Sequence, residues 1–479
     1  MTVEDKAQEW GNKNQVIKTR DDKSPVFLDE IEDPDEVTKP FVVVDPPGCA
    51  WASAATPIGS DTLRERIEPW LTALLQSEHL SLLVGSGLTH AVHRTATGKA
   101  APGMEPTEFG VHGEAIALAA KESAMRAGRA EGNFEDDIRA ATELARGVEI
   151  AAGVKAPDDK SRTSLRSLRD EISERLNGLA DSILEAERNV ATAPEPDRDE
   201  ALNQLVSFLM SFASRTGTRE RLQIFTTNYD RLIEAAADMA GLRLIDRFVG
   251  SIAPIFRSSR LDVDMHYNPP GIRGEPRYLE GVARFTKLHG SVDWYDTGNE
   301  IRRIGMPFGA KSLDPYLDIP GIQSDEPDRL MVYPNASKDR ETAAYPYVEL
   351  FRDLAAAVCR PNSTLVTYGY SFGDEHINRV IEDMLTVPSS HLVIIAFGDP
   401  LGRIQATYRR LGRPSQVTLL VGNHLGDLAS LVNNYLPKAS IDRTTLKMTE
   451  LLRARWGSSP SPSKETPPGP LTGAEPGAS

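Results

Sequence analysis

From about residue 220 the chain repeats one arrangement, and that repetition constrains the fold more than any other feature. Short apolar runs ("LQIFTT", "RFTKLH", "RLMVYP", "STLVTYGYSF", "HLVIIAFG", "QVTLLVG") are followed by amphipathic segments such as "RLIEAAADMA", "YVELFRDLAAAV", "HINRVIEDML", "RIQATYRRLG" and "GDLASLVNNYL". Runs that are apolar almost throughout become strands covered on both faces, as in a parallel sheet flanked by helices. The expected class is therefore α/β, doubly wound. Ligands of such sheets bind beyond the carboxyl ends of the strands, so the polar residues found there carry the functional reading.

The pattern before residue 220 is different. "LSLLVGSG", residues 80–87, is a buried strand that runs into a glycine loop. From about 113 to 215 the chain turns helical, and Leu165, Leu168, Ile172, Leu176, Leu179 and Ile183 recur at spacings of three and four. That stripe predicts one long helix inside a large helical insertion that packs on itself, with its leucines as core. Residues 1–60 are acidic and broken by prolines, with one apolar run at 41–44, and read as an extended N-terminal arm. The main domain spans 61–445. The Pro/Ser-rich stretch 446–479 is expected to be a disordered tail.

Bulk properties exclude several classes. A net charge of -15 argues against a broad nucleic-acid-binding surface, which needs clustered Lys and Arg. Only Cys49 and Cys359 occur, so neither a disulfide framework nor a four-cysteine zinc site can be built, and no metal is expected. No apolar run approaches the roughly 20 residues needed to cross a bilayer, and "MTVEDKAQEWGNKNQ" lacks the apolar core of a secretory signal. The expectation is a cytoplasmic protein without a membrane partner.

Four strand ends hold unusual polar chemistry. In "VGSGLTH" (84–90), Gly85 and Gly87 permit a tight turn and close backbone approach, and the following helix aims free N–H groups at a phosphate. His90 stands where a third glycine of a dinucleotide fingerprint falls, and a tight turn without a ligand fits the segment equally well. In "TTNYD" (226–230), Asn228 or Asp230 can cap the next helix, yet one cap leaves two threonines and the second polar residue unexplained. In "KLHGSVDWY", His289 follows an apolar strand, where imidazole can exchange a proton near neutral pH. In "GYSFGDEHIN" (369–378), Asp374 opens a helix; a well-capped helix and a ligand loop are even readings.

Taken together and in this order, the four segments resemble the sirtuin-like family, in particular its bacterial NAD-hydrolysing branch associated with anti-phage defence. The resemblance implies a Rossmann-like fold and NAD+ as substrate. By position it implies that Gly85, Ser86, Gly87 and Thr89 meet the NAD diphosphate, with Thr227 beside them. It implies that Asn228 and Asp230 face the nicotinamide ribose and that His289 is the catalytic base. Gly369, Ser371 and Phe372 are expected to line the far ribose and adenine, with Asp374 close by.

The same resemblance implies a homo-oligomer and a ring-forming ATPase or helicase as partner. The implied activity is NAD+ glycohydrolysis; the alternative is a non-catalytic NAD- or ADP-ribose-binding sensor or scaffold. Protein-deacylating sirtuins carry two CxxC pairs on a structural zinc, and neither cysteine here belongs to such a pair. The helical insertion fits a replacement for the small domain that holds that zinc.

Overall fold

A computed structural model describes residues 10–11, 14–31, 40–44, 49, 51–53, 57–126, 132–154, 159–215, 219–267, 277–317 and 345–438. A compact unit ends at Pro437 and holds every element discussed below. The strand expected in "RLMVYP" and the tail 446–479 lie outside the described residues.

The principal sheet has eleven strands: β1 (Asn14–Lys18), β2 (Val26–Glu30), β3 (Phe41–Val44), β4 (Pro57–Ile58), β5 (His79–Val84), β6 (Gln223–Thr226), β7 (Arg243–Ile245), β8 (Val282–Lys287), β9 (Ser363–Tyr368), β10 (His391–Ala396) and β11 (Val417–Val421). Their spatial order is β4-β3-β2-β1-β11-β10-β9-β5-β6-β8-β7. The seven from β11 to β7 are all parallel. From β5 the chain proceeds to β6 on one side, and later to β9 on the other, so strand order reverses between β5 and β9. That crevice is the topological switch point, where an open α/β sheet receives its ligand.

Alternate residues of the parallel strands face opposite layers, as the pleat requires. Leu82, Val84, Ile224 and Val366 pack against α1 (Ser60–Leu75), α2 (Ser86–Thr97), α6 (Glu195–Ala213) and α7 (Leu232–Ala240). Leu83, Phe225, Leu365 and Ile394 pack on the other face against α8 (Tyr347–Val358), α9 (Glu375–Leu385) and α10 (Arg403–Leu411). Two apolar layers on one sheet make the fold doubly wound.

The insertion comprises α3 (Gly113–Arg126), α4 (Phe134–Val154), α5 (Asp159–Ala191) and α6. Ile116, Ile138, Leu168, Ile172 and Leu176 form a core of their own. Farther along the same stripe, Leu179 and Leu184 leave that core and pack with Tyr229, Val292 and Tyr295. So α5 joins the insertion to the α/β body, instead of packing only within the insertion.

The segment read as an arm contributes β1 to β4, which extend the sheet antiparallel from β11. The polar residues that disguise it are consumed internally. Gln15 Oε1 accepts from the backbone N–H of His424 and Leu425, each at 3.0 Å. Lys18 Nζ donates to the carbonyls of Pro414 and Val417, at 2.5 and 3.1 Å. Leu28, with no exposed surface, belongs to the same apolar layer as Val84. Replacing it by alanine removes buried methyl groups and leaves a cavity. Leu28→Ala should cost about 2–5 kcal/mol in chemical denaturation; a change below about 0.5 kcal/mol, the usual surface value, would place the segment outside the core.

Candidate active site

At the switch point two glycine loops touch backbone to backbone. Gly85 N–H donates to Tyr368 O and Gly87 N–H to Gly369 O, both at 3.0 Å. A Cβ on Gly87 would lie 2.5 Å from Gly369 Cα, and one on Gly85 would lie 2.5 Å from Gly369 O. Gly369 itself adopts a left-handed φ of 60°, a region L side chains rarely enter. Only glycines allow this approach, and it sets α2 and the 370–374 turn side by side.

The "TTNYD" residues each have a separate duty. Thr226 Oγ1 donates to Val84 O and receives the N–H of Asn228, both at 3.0 Å, while Thr227 N–H donates to Val84 O at 3.1 Å. These bonds fasten the turn to β5. Asn228 Nδ2 donates to Gly85 O and to Thr89 Oγ1, both at 3.0 Å. Asn228 thereby spends both amide hydrogens on the glycine loop, and its carbonyl oxygen remains as the acceptor. The Thr89 hydroxyl donates onward to Asp230 Oδ2 at 2.5 Å, while Asp230 Oδ1 receives the N–H of Leu232 at 3.1 Å. Capping is thus one of Asp230's two functions.

A charged layer lies beneath this turn. Lys287 Nζ donates to Asp230 O at 2.5 Å and to Glu234 Oε1 at 3.0 Å. Burial pushes the Glu234 carboxyl up to about 7, with Lys287 opposing the shift. Arg231 N–H donates to Glu187 Oε1 at 2.7 Å and its guanidinium to Glu187 Oε2 at 2.5 Å, both side chains buried. That pair binds α5 of the insertion directly to the turn.

His289 follows β8, whose register beside β6 runs from Arg284↔Gln223 to Lys287↔Thr226. Its ring lies between those of Tyr229 and Phe351, each with centroid 6.5 Å away. Nε2 is 2.8 Å from Asp374 Oδ2. The other carboxylate oxygen of Asp374 caps α9, accepting from the N–H of His376 at 2.8 Å and of Ile377 at 3.4 Å.

These groups line a cavity of about 290 Å³, which brings Gly85, Ser86, Thr89, Thr227, Asn228, Asp230, His289, Ser371 and Asp374 together. Ser86, His90, Tyr370 and Ser371 also line a second cavity, of about 530 Å³, which contains Gly87 and Gly369 and is walled by Phe397, Gly398, Pro400 and Leu401. Such volumes suit small-molecule sites, which run about 300–1,000 Å³. The glycine crossing contributes Gly85 to the smaller chamber and Gly87 and Gly369 to the larger.

One expected placement differs. Phe372 lines neither cavity; its ring is buried against Tyr370, with centroids 4.8 Å apart. Asp374 lines the smaller cavity, on His289, and its neighbour Ser371 lines both. The smaller cavity also has a wall that the motifs did not disclose: Met104, Asn133, Glu135, Ser182 and Ile183, with Arg403 from α10. The local signal at Asn133 is only that of a cap, for its Oδ1 accepts from Asp136 N–H at 3.0 Å. Nothing local marks Ser182 or Ile183, which stand on a leucine-striped helix.

Residues 222–412, which contain three of the four polar strand ends, match the SIR2-like domain family model. The match is to a SIR2-like domain over that stretch of the chain. It begins beyond the insertion and so omits the Gly85–Gly87 loop. A solved structure from a study of the structural basis of sirtuin substrate affinity is similar to the chain at 15% identity and a TM-score of 0.32, covering 76% of this chain and 95% of that one. A likeness at that level decides nothing here. No curated protein matches the chain significantly.

The crossing is directly testable. Gly87→Ala forces Cβ into Gly369 and must part the two loops. It should destabilise the protein by about 1–3 kcal/mol in chemical denaturation, the usual range for overpacking. An alanine variant as stable as the wild type would show that the close approach is dispensable.

Proposed function

We propose that the protein is an NAD+ glycohydrolase, cleaving the nicotinamide–ribose bond to give nicotinamide and ADP-ribose. One observation carries the reading: Asn228 and His289 line a single cavity that shares Ser86, His90, Tyr370 and Ser371 with a second one beside the glycine crossing. A dinucleotide has the matching shape. Its diphosphate meets the crossing at the N-terminus of α2, where the positive end of the helix dipole favours an anion although the N–H groups of Gly85, Gly87 and Leu88 are already bonded within the loops; its adenosine occupies the larger chamber, and its nicotinamide ribose the smaller.

The chemistry follows from the substrate's charge. When the bond between the ribose anomeric carbon and the pyridinium nitrogen breaks, its electron pair stays on nitrogen and nicotinamide departs neutral, so no acid is required. The demand is to stabilise a cationic, oxocarbenium-like ribose and to deliver water to it, much as in glycosidases. Asp230 and Glu135, both in the chamber wall, supply negative potential. The Asn228 carbonyl orients the water or a ribose hydroxyl, and His289 takes the proton as the water oxygen bonds to carbon. The balance is NAD+ plus water to nicotinamide, ADP-ribose and one proton.

Two cysteines cannot supply the four-cysteine zinc of protein deacylases, and among the described residues the insertion contributes to the cavity wall. On family resemblance, the reading extends to depletion of the cytoplasmic NAD+ pool in anti-phage defence. Homo-oligomerisation and a ring-forming ATPase or helicase are then the means of restraint.

His289→Ala and Asn228→Ala should each lower NAD+ turnover by about 10²–10⁴-fold, the usual loss with a general base, while the far-ultraviolet circular dichroism is unchanged. Release of free nicotinamide is the assay. Near-wild-type turnover by either variant would remove that residue from the mechanism, and nucleotide bound but never consumed by the wild type would mark a sensor.

A further inference from the structure

Capping a helix requires one oxygen of Asp374, yet the structure uses both. Oδ1 receives the N–H of His376 and Ile377, and Oδ2 lies 2.8 Å from His289 Nε2. The turn that aims this carboxylate is braced: Tyr370 OH shares its one proton between Asp374 O at 3.1 Å and Asn378 Oδ1 at 3.0 Å, and Asn378 Nδ2 donates to Phe372 O at 3.0 Å. Phe372 holds a positive φ of 54° within it. That restraint gives the buried Phe372 a structural task and fixes where Asp374 points.

A carboxylate only accepts hydrogen bonds, so the imidazole nitrogen facing it carries the proton. The lone pair of a neutral His289 is then on Nδ1, which makes no hydrogen bond among the described residues. We propose that Asp374 is a positioning residue that holds His289 in its Nε2–H form, so that Nδ1 is the atom that receives the proton from water. The catalytic consequence rests on the hydrolase reading above. The tautomer does not, because it belongs to the free protein.

Asp374→Asn separates this role from capping. Asparagine is a good cap, and its single carbonyl oxygen is needed by the N–H groups of His376 and Ile377. Its NH2 must therefore face Nε2, which becomes an acceptor, and the imidazole proton moves to Nδ1. The nitrogen that took protons now carries one. Amide-for-carboxylate exchange beside a catalytic histidine disables it in this way elsewhere.

Nitrogen-15 spectra of histidine-labelled protein, with His289 assigned by its absence from His289→Gln, should show protonated Nε2 in the wild type and protonated Nδ1 in Asp374→Asn. In the same variant kcat for nicotinamide release should fall about 10²–10⁴-fold, with KM within about threefold, as for an interaction made only in the transition state. Asp374→Ser keeps a cap but offers Nε2 no carboxylate, so it should show both tautomers and an intermediate kcat. An unchanged tautomer in Asp374→Asn overturns the proposal, as does a switched tautomer with unchanged kcat. A lowered melting temperature with His289 unaltered would likewise reduce Asp374 to a helix cap. If the wild type releases no nicotinamide, the hydrolase reading fails, and the spectra still decide the tautomer.

Discussion

The contact on which the site depends is between backbones. Gly85, Gly87 and Gly369 bring the loops after β5 and β9 closer than any Cβ would allow. Each of the main polar groups is referred to that contact. Asn228 holds the carbonyl of Gly85, Thr89 ties α2 to Asp230, and Asp374 lies one tight turn beyond Gly369. A parallel sheet that reverses its order there supplies the crevice, and the glycines let the two sides meet across its floor.

The second constraint is how the insertion is attached. A helical stretch of about a hundred residues could in principle sit apart from the body, with its own core. The buried Arg231–Glu187 pair and the packing of Leu179 and Leu184 on Tyr229 prevent that. Breaking one member of such a pair strands the other charge in a low-dielectric setting, a loss typically of about 3–5 kcal/mol. Arg231 directly follows Asp230, so this pair fastens α5 beside the polar turn. The same helix supplies Ser182 and Ile183 to the cavity wall. The insertion is therefore part of the candidate site.

What could be read from the sequence, and what could not, follows the range of the interactions. The parallel strands and their helices were legible because both-face burial leaves unbroken apolar runs, and the long leucine-striped helix because its period is local. The polar strand ends were legible as exceptions to those runs. Strands β1 and β2 were hidden, since Gln15 and Lys18 look solvated until the distant carbonyls and N–H groups they serve come into view. The contact of Asp374 with His289 was not legible, because the two residues stand 85 positions apart. Phe372 looked like a ligand contact, and its positive φ turns the ring into the core.

The most direct test is a crystal structure with ADP-ribose bound. The account expects the diphosphate over the Gly85–Gly369 crossing, the adenosine against Phe397 and Leu401, and the free ribose between the Asn228 carbonyl and His289. ADP-ribose bound outside the two chambers, or with its free ribose facing away from His289, would contradict it.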